Sequence, residues 1–441
     1  MPESPEPRKY LCPSCGSFSL LDPRFVQWCV ECGRGADPRP PELTKRARRV
    51  SEREQRRSLR LFESLRTAQD LRPASATGVA VTAISTVVHL IGFAALVLPI
   101  WFVAATGGTY FWSYVALLLG VLTFWTVRPR IRFRIPRDNG LRRDDAPNLY
   151  ALLDRCAAEL GCAVPAKVFV DRRYNASTGR VLMRRTSFVV LGIPLWTVLS
   201  GQERIALLGH ELGHQVNGDP AHGIWAGSAR RSLFEWTKLL DPRQTPFEAA
   251  SNRRLRNRSR RGGFMGIGAG LAPLVQALVF LPFFLVAWGC SAALSRLDLL
   301  CGQRAEYLAD ELGARLAGSE AAAGLLEKLL LGEAVRGFIT ATRNAPGSAA
   351  GRRETADALW SRLAEFAASI PDTELLRRRI VDRARNMRTD RTHPATHLRA
   401  ALMHERPPLA GTIKLSDDEW ARIDAELAPG ARTVARALTS V

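Results

Sequence analysis

The sequence predicts a mainly α-helical membrane protein of the α+β kind. It should hold a small cysteine-bounded module, a transmembrane helical hairpin and a larger helical domain with a small β-sheet. Three observations carry this expectation. Residues 73–127 contain no Asp, Glu, Lys or Arg, and neither do residues 262–295. Four of the eight cysteines fall in two Cys-x-x-Cys pairs near the N-terminus. The remaining chain alternates helical apolar patterns with two short β-branched runs. A hydrophobic content of 46% excludes a disordered chain, and 441 residues allow several domains.

Residues 1–38 form the first unit. Cys12-Pro13-Ser14-Cys15 and Cys29-Val30-Glu31-Cys32 are each followed by glycine and lie 13 residues apart. Four thiolates at this spacing suit a closed tetrahedral zinc site, so a zinc ribbon with one structural Zn²⁺ is expected on Cys12, Cys15, Cys29 and Cys32. The other four cysteines are scattered and read as small apolar residues, not a disulfide framework. Met1–Tyr10 has no apolar run, so no cleaved signal peptide is expected.

Residues 39–72 read as a basic cytoplasmic linker. Ten Lys or Arg fall in 40–72, while Leu59, Leu61, Phe62 and Leu65 sit at near-helical spacing. Both a helix and a solvated tether fit that pattern.

Residues 73–127 follow as the membrane hairpin. The runs 77–105 and 109–127 each approach the roughly 20 residues of a bilayer span. Thr106-Gly107-Gly108-Thr109 supplies the turn, with Trp101, Tyr110, Phe111, Trp112 and Tyr114 beside it as interfacial aromatics. Seven Arg follow in 128–143 and none lie at the turn, which puts both ends of the hairpin, the N-terminus and the domain that follows in the cytoplasm. The formal charge of +20 is concentrated beside these apolar runs. That placement favours a lipid bilayer over nucleic acid as the basic residues' partner.

Residues 128–441 should form the largest domain, including the membrane-associated segment 262–295. Helices are expected over 147–161, 202–217, 296–317, 320–337, 371–386 and 396–404. Strands are expected at Lys167–Val170 and Ser187–Leu191, with Asn175–Gly179 between them.

His210-Glu211-Leu212-Gly213-His214 lies inside the 202–217 helix. The i, i+4 spacing puts both imidazoles on one face, one turn apart, where each can offer a nitrogen to a Zn²⁺. Glu211 lies beside that face, where its carboxylate could take a proton from an attacking water. Catalytic zinc usually takes three protein ligands. Glu306, in Arg304-Ala305-Glu306-Tyr307-Leu308-Ala309-Asp310, is the expected third, and Asp310, one turn on, could hold the far nitrogen of a ligand histidine.

His210 and Glu306 must lie on the same side of the membrane for such a site to close. A single crossing by 262–295 would separate them. A hairpin there, broken at Pro273 or Pro282, is therefore expected, with a buried helical core element as the alternative.

The run His210–Asp219 resembles the signature helix of the HtpX-type membrane zinc metalloproteases, relatives of the CAAX prenyl endopeptidases. Glu306-x-x-x-Asp310 resembles their third-ligand motif and Thr392-His393-Pro394 their C-terminal His-Pro motif. Asn175-Ala176 resembles their Asn-Ala segment, with Ser177 where an aromatic often follows. The resemblance covers about residues 75–405. It implies a zincin-type domain holding one catalytic zinc and an endopeptidase acting on membrane proteins at the cytoplasmic face of the cell membrane. His393 would donate to the oxyanion or substrate. Asn175 and Ala176 would pair with an extended substrate.

Two other readings remain. An intramembrane protease would need the His-Glu motif inside an apolar span, whereas Glu203 and Arg204 open this helix and Asn217 and Asp219 close it. A membrane-tethered binding scaffold would keep the same residues around a structural or inactive zinc.

Overall fold

A computed structural model describes residues 7–38, 44–68, 71, 75–128, 140–181, 186–217, 219–241, 268–344, 358–385 and 393–440. The chain divides into two compact units. The first comprises Met1–Pro73, Arg134–Pro220 and Gly302–Val441; the second comprises Ala74–Phe133 and Ala221–Cys301. A mainly helical α+β architecture is what results.

The first unit opens with the hairpin β1 (Arg8–Leu11) and β2 (Phe18–Leu21), antiparallel in the register Arg8↔Leu21. α1 (Lys45–Arg66) follows. This basic helix does not run free: Phe62 and Leu65 are buried in the unit's core, and Arg406 Nη1 donates to the Leu65 and Ala68 carbonyls at 2.9 and 2.8 Å. α4 (Pro147–Leu160) buries Leu149, Leu152, Leu153 and Cys156 against the same core. Each large side chain so buried is worth about 1.5–3 kcal/mol before the entropy of ordering it.

A three-stranded sheet comes next: β3 (Lys167–Asp171), β4 (Ala176–Val181) and β5 (Thr186–Gly192), in the order β3-β5-β4. β3 runs parallel to β5 and β4 antiparallel to it. The sequence showed no strand at Asn175–Gly179. The strand forms because Ala176–Val181 pairs along the whole of β5, a long-range gain that its own composition does not announce. Among the described residues β4 is an edge strand. α5 (Ile193–Val198) leads into α6 (Gly201–Val216), whose N-terminus is closed by a capping box between Ser200 and Glu203.

After residue 302 the first unit continues with the end of α8 (Gly268–Ala317), then α9 (Ser319–Leu329), α10 (Gly332–Asn344), α11 (Leu359–Ala368), α12 (Asp372–Arg385), α13 (Thr396–Glu405) and α14 (Asp417–Thr439). The single helix expected over 320–337 is two, parted at Leu330 and Leu331.

The second unit holds α2 (Ser75–Ala105), α3 (Phe111–Val127), most of α7 (Asp219–Leu240) and the first part of α8. α2 and α3 form the expected hairpin. They approach closely: a Cβ added at Gly120 would stand 2.3 Å from Pro99 Cγ. Small residues at such contacts let apolar helices pack in lipid. α3, with 17 residues, is at the short end of a span. Ala226, Ala229 and Leu233 of α7 pack with Val81 and Val88 of α2 and with Ala287 and Leu294 of α8. Outward-facing Leu90, Trp101, Leu118, Trp125, Leu278 and Phe283 are exposed, as a lipid-facing belt requires. Among the described residues, two helices, over Thr77–Ala105 and Leu278–Ala317, are long and apolar enough to cross a membrane.

The hairpin expected within 262–295 is overturned over the described residues. Gly268–Ala317 is one helix, which also absorbs the element expected at 296–317. Pro282 does not break it, because proline is tolerated inside apolar helices. If α8 crosses the bilayer, the compensating pass lies between His214 and Gly268. There α7 is helical, and 242–267, including the Arg run 253–261, fall outside the described residues.

Candidate metal centres and the cavity beside them

Two clusters of ligand-type side chains stand out among the described residues, both in the first unit. Cys12, Cys15, Cys29 and Cys32 gather at one point, and His210, His214 and Glu306 at another, each set with donor atoms within 4.8 Å of one another.

The cysteine cluster is built from two matching turns. Gly16 N–H donates to the Cys12 carbonyl and Gly33 N–H to the Cys29 carbonyl, both at 2.9 Å. Both glycines have positive φ, 70° and 73°, a conformation a side chain would strain. The sulfurs of Cys12 and Cys32 lie 3.7 Å apart and those of Cys15 and Cys29 3.5 Å. A Zn–S bond of about 2.3 Å gives tetrahedral S···S edges of about 3.8 Å, so the cluster fits zinc. Ser17 Oγ, 3.1 Å from both Cys15 and Cys29, is the main cause that brings the Cys29 thiol down to about 6.

The second cluster joins two helices remote in sequence. His210 and His214 come from α6 and Glu306 from α8. The packing of α6 on α8 explains their meeting. A Cβ on Gly209 would stand 2.8 Å from Gly313 Cα, one on Gly213 3.0 Å from Ala309 Cα, and one on Gly313 2.7 Å from the Ala206 carbonyl oxygen. The backbones therefore touch along a seam of small residues, and the side chains beside that seam converge. Asn217 Nδ2 also donates to the Ala305 carbonyl at 3.2 Å.

His210 Nε2 and His214 Nε2 stand 3.2 Å apart, and the Glu306 carboxylate oxygens lie 3.7 and 3.6 Å from them. Zn–N distances of about 2.0–2.1 Å imply tetrahedral edges of about 3.3 Å, so these donors fit a zinc ion too. Asp310 Oδ1 lies 2.9 Å from His210 Nδ1, which turns Nε2 toward the cluster. Glu211 is buried, and burial pushes its carboxyl above the usual range. His393 Nδ1 stands 2.6 Å from Glu306 Oε2, so any contact of this ring with an oxyanion would fall to its other nitrogen.

Arg399 is the residue the sequence reading missed. It is 3% exposed, donates to both Asp310 oxygens at 2.7 and 2.6 Å, and reaches Glu306 Oε2 at 3.5 Å. Burial pushes the Asp310 and Glu306 carboxyls up, but Arg399 and the adjoining histidines outweigh it and hold both below the ordinary range. The signal was available. Arg399 sits among Leu398, Leu402 and Met403 on an otherwise apolar helix face, and three buried carboxylates needed a counter-charge.

A cavity of about 360 Å³ opens on this cluster. Asn175, Ala176, Ser177 and Thr178 of the β4 region line it together with His210, Glu211, His214, Glu306, His393 and Arg399. Every residue singled out from the sequence for the second centre thus lies at the cavity or, for Asp310, directly behind it. Thr392 lies outside the described residues.

Residues 144–406 match the family described as Peptidase family M48. The chain is similar to a protease HtpX homolog of Syntrophobacter fumaroxidans, with 29% identity over 256 residues that cover 56% of this chain and 81% of that protein. No solved structure gives a significant match.

Proposed function

The chain belongs to peptidase family M48 and is a zinc metalloendopeptidase, and on that premise we propose how its residues divide the work. The reading rests above all on one cavity that brings Glu211 and Glu306 together with the β4 edge. His210, His214 and Glu306 hold the catalytic zinc. When bound, zinc would polarise the scissile carbonyl and stabilise the negative charge that develops on it. Glu211 takes a proton from the attacking water and passes it to the leaving amine. Its burial suits that work, because a raised carboxyl is a stronger base. Asp310 and Arg399 fix the tautomer and direction of His210 and the charge of Glu306. His393 steadies Glu306 through Nδ1. Asn175 and Ala176 open the edge strand along which an extended peptide pairs.

A second zinc sits on the four ribbon cysteines in a structural role. The exposed apolar belt of α2, α3 and α8 and the HtpX likeness mark a membrane protein. We further propose a multi-pass arrangement in the cell membrane with the N-terminus and catalytic unit cytoplasmic, and membrane proteins as substrates. The Arg-rich flanks of the apolar runs support that orientation. The organisation follows as ribbon, basic helix, membrane hairpin and peptidase domain.

The deciding experiment is Glu211→Gln in detergent-purified, zinc-loaded enzyme. Casein or self-cleavage should fall at least roughly 10³-fold while zinc content by mass spectrometry stays at two per chain. Proteolysis at the wild-type rate would sink the assignment of Glu211.

A further inference from the structure

A second groove adjoins the active-site cavity. Its volume is about 500 Å³, and Asn175 lines both. The two share a wall: Leu325, Leu326 and Leu329 of α9 face the cavity, and Gly332, Val335 and Ile339 of α10 continue the line into the groove. Gly332 makes the junction close, since a Cβ there would stand 3.2 Å from the Tyr174 ring. The groove is rimmed by Arg172, Arg173, Arg336 and Arg343. Arg173 is paired with Asp171 at 2.5 Å, and Arg343 Nε bonds Asn344 Oδ1 at 3.4 Å. Arg172 and Arg336 are exposed and carry no ion pair among the described residues. Arg336 and Arg343 lie seven residues apart, on one face of α10.

The inference rests on the peptidase reading above and deepens it. We propose that this groove receives the segment of the substrate C-terminal to the scissile bond and selects for acidic side chains in it. The direction follows from strand pairing. Antiparallel pairing, the slightly stabler arrangement, makes a peptide on β4 run from Val181 toward Ala176 and leave past Asn175. We place the scissile bond opposite Thr178, which lines the cavity; Asn175 is then about 10 Å on at roughly 3.3 Å per residue, so the acidic positions begin near the third residue after the bond. The occupant is a carboxylate-bearing peptide because the rim presents uncompensated guanidinium groups, which pair with carboxylates in a fork geometry. A groove of this sign also penalises lysine at those positions, so it discriminates in both directions.

The test uses full-length, zinc-loaded enzyme in detergent and a quenched peptide copied from a mapped casein cleavage. Asp, Asn or Lys is placed at the third to fifth residues after the bond, with the same changes before it as a control. Wild-type kcat/KM should be roughly five-fold higher for the Asp than for the Asn peptide, and lowest for Lys, since exposed pairs contribute modestly. The gap should shrink to about twofold at 0.5 M salt. The double change Arg172→Glu with Arg336→Glu should invert the order of the Asp and Lys peptides. Equal cleavage of Asp and Lys peptides by the wild type, a preference on the preceding side instead, or an order unmoved by the double change would each overturn the proposal. Cleavage of no peptide at all, with Glu211→Gln equally silent, would overturn the peptidase reading itself.

Discussion

The two candidate metal centres were assembled in opposite ways. The ribbon takes its four thiols from 21 consecutive residues, Cys12 to Cys32, and places two of them at the surface. Its shape follows from two tight turns, with little apolar burial beyond Leu21, Trp28 and Ala36. The His/Glu centre takes its donors from helices almost a hundred residues apart, with His210 and Glu306 buried and His214 partly so. There a clamp of Arg399, Asp310 and His210, together with the glycine seam of α6 and α8, fixes the donors through protein contacts alone. A closed thiolate site depends on its metal for structure. An open site with a free side for substrate has to be held by the protein, because three ligands and a vacant position are not a rigid frame on their own.

That contrast predicts where damage is greatest. Arg399→Met should be the most severe structural change at the buried centre. It leaves Asp310 and Glu306 without their buried cation, a loss of about 3–5 kcal/mol for one partner of a buried pair. The thermal midpoint should drop, and the zinc that is lost should be the one not bound to thiols. A loss confined to the thiolate zinc would refute the clamp. Next in size is Gly313→Ala. The new methyl would meet the Ala206 carbonyl, so α6 and α8 must part by several tenths of an ångström. Overpacking of this kind costs about 1–3 kcal/mol. A displacement near 1 Å at the reacting groups can cost about 10² in kcat/KM. Ribbon zinc, read by cobalt substitution as a thiolate spectrum, should be unaffected.

The same contrast explains what could be read from the sequence. The Cys-x-x-Cys pairs and the His-Glu-x-x-His turn are local patterns, and the geometry of a turn or helix makes their residues neighbours. The α2–α3 hairpin is equally local, since its lack of charge and its Gly-Gly turn need no distant partner. Glu306 and Asp310 were legible because an incomplete ligand set calls for a carboxylate on a second helix. Arg399 and the Gly209, Gly213 and Gly313 seam were not noticed, because their purpose exists only once α6, α8 and α13 are together. β4 escaped for a related reason. Ala176–Val181 is weakly strand-like alone and becomes a strand by pairing with β5. The continuity of α8 is not legible in the sequence, because Pro273 and Pro282 would break a helix in water and an apolar setting lessens that effect.

Acidity should separate the two centres as well. Burial raises Glu211, and only its ionised form can accept a proton, so kcat/KM should fall as pH drops through a value above the ordinary 4.5. Below that value the decline should be about tenfold per pH unit. Zinc content measured over the same range decides the cause. A limb that tracks zinc loss reports the ligands and not Glu211, whereas a limb at constant zinc reports the base.

The smallest effect on catalysis should come from the ribbon, and it tests how far the two regions are independent. The ribbon rests on α12: Leu21 and Trp28 pack against Leu376, Ile380 and Val381, Arg377 Nη1 donates to the Ala36 carbonyl at 2.8 Å, and Arg385 pairs with Asp37. On that helix Asp382, fully buried, accepts from His397 N–H at 2.7 Å at the start of α13, the helix that also carries Arg399. Only the ribbon side of this chain of contacts depends on metal. The Asp310 clamp holds Arg399 directly, whereas the ribbon reaches it only through α12 and α13. Cys29→Ser should therefore reduce zinc from two to one per chain and lower hydrogen-exchange protection over 372–385, while kcat/KM on a short peptide falls by less than about threefold. A loss as large as that of Arg399→Met would mean that α12 transmits the ribbon's order to Arg399, and the two centres would have to be counted as one device.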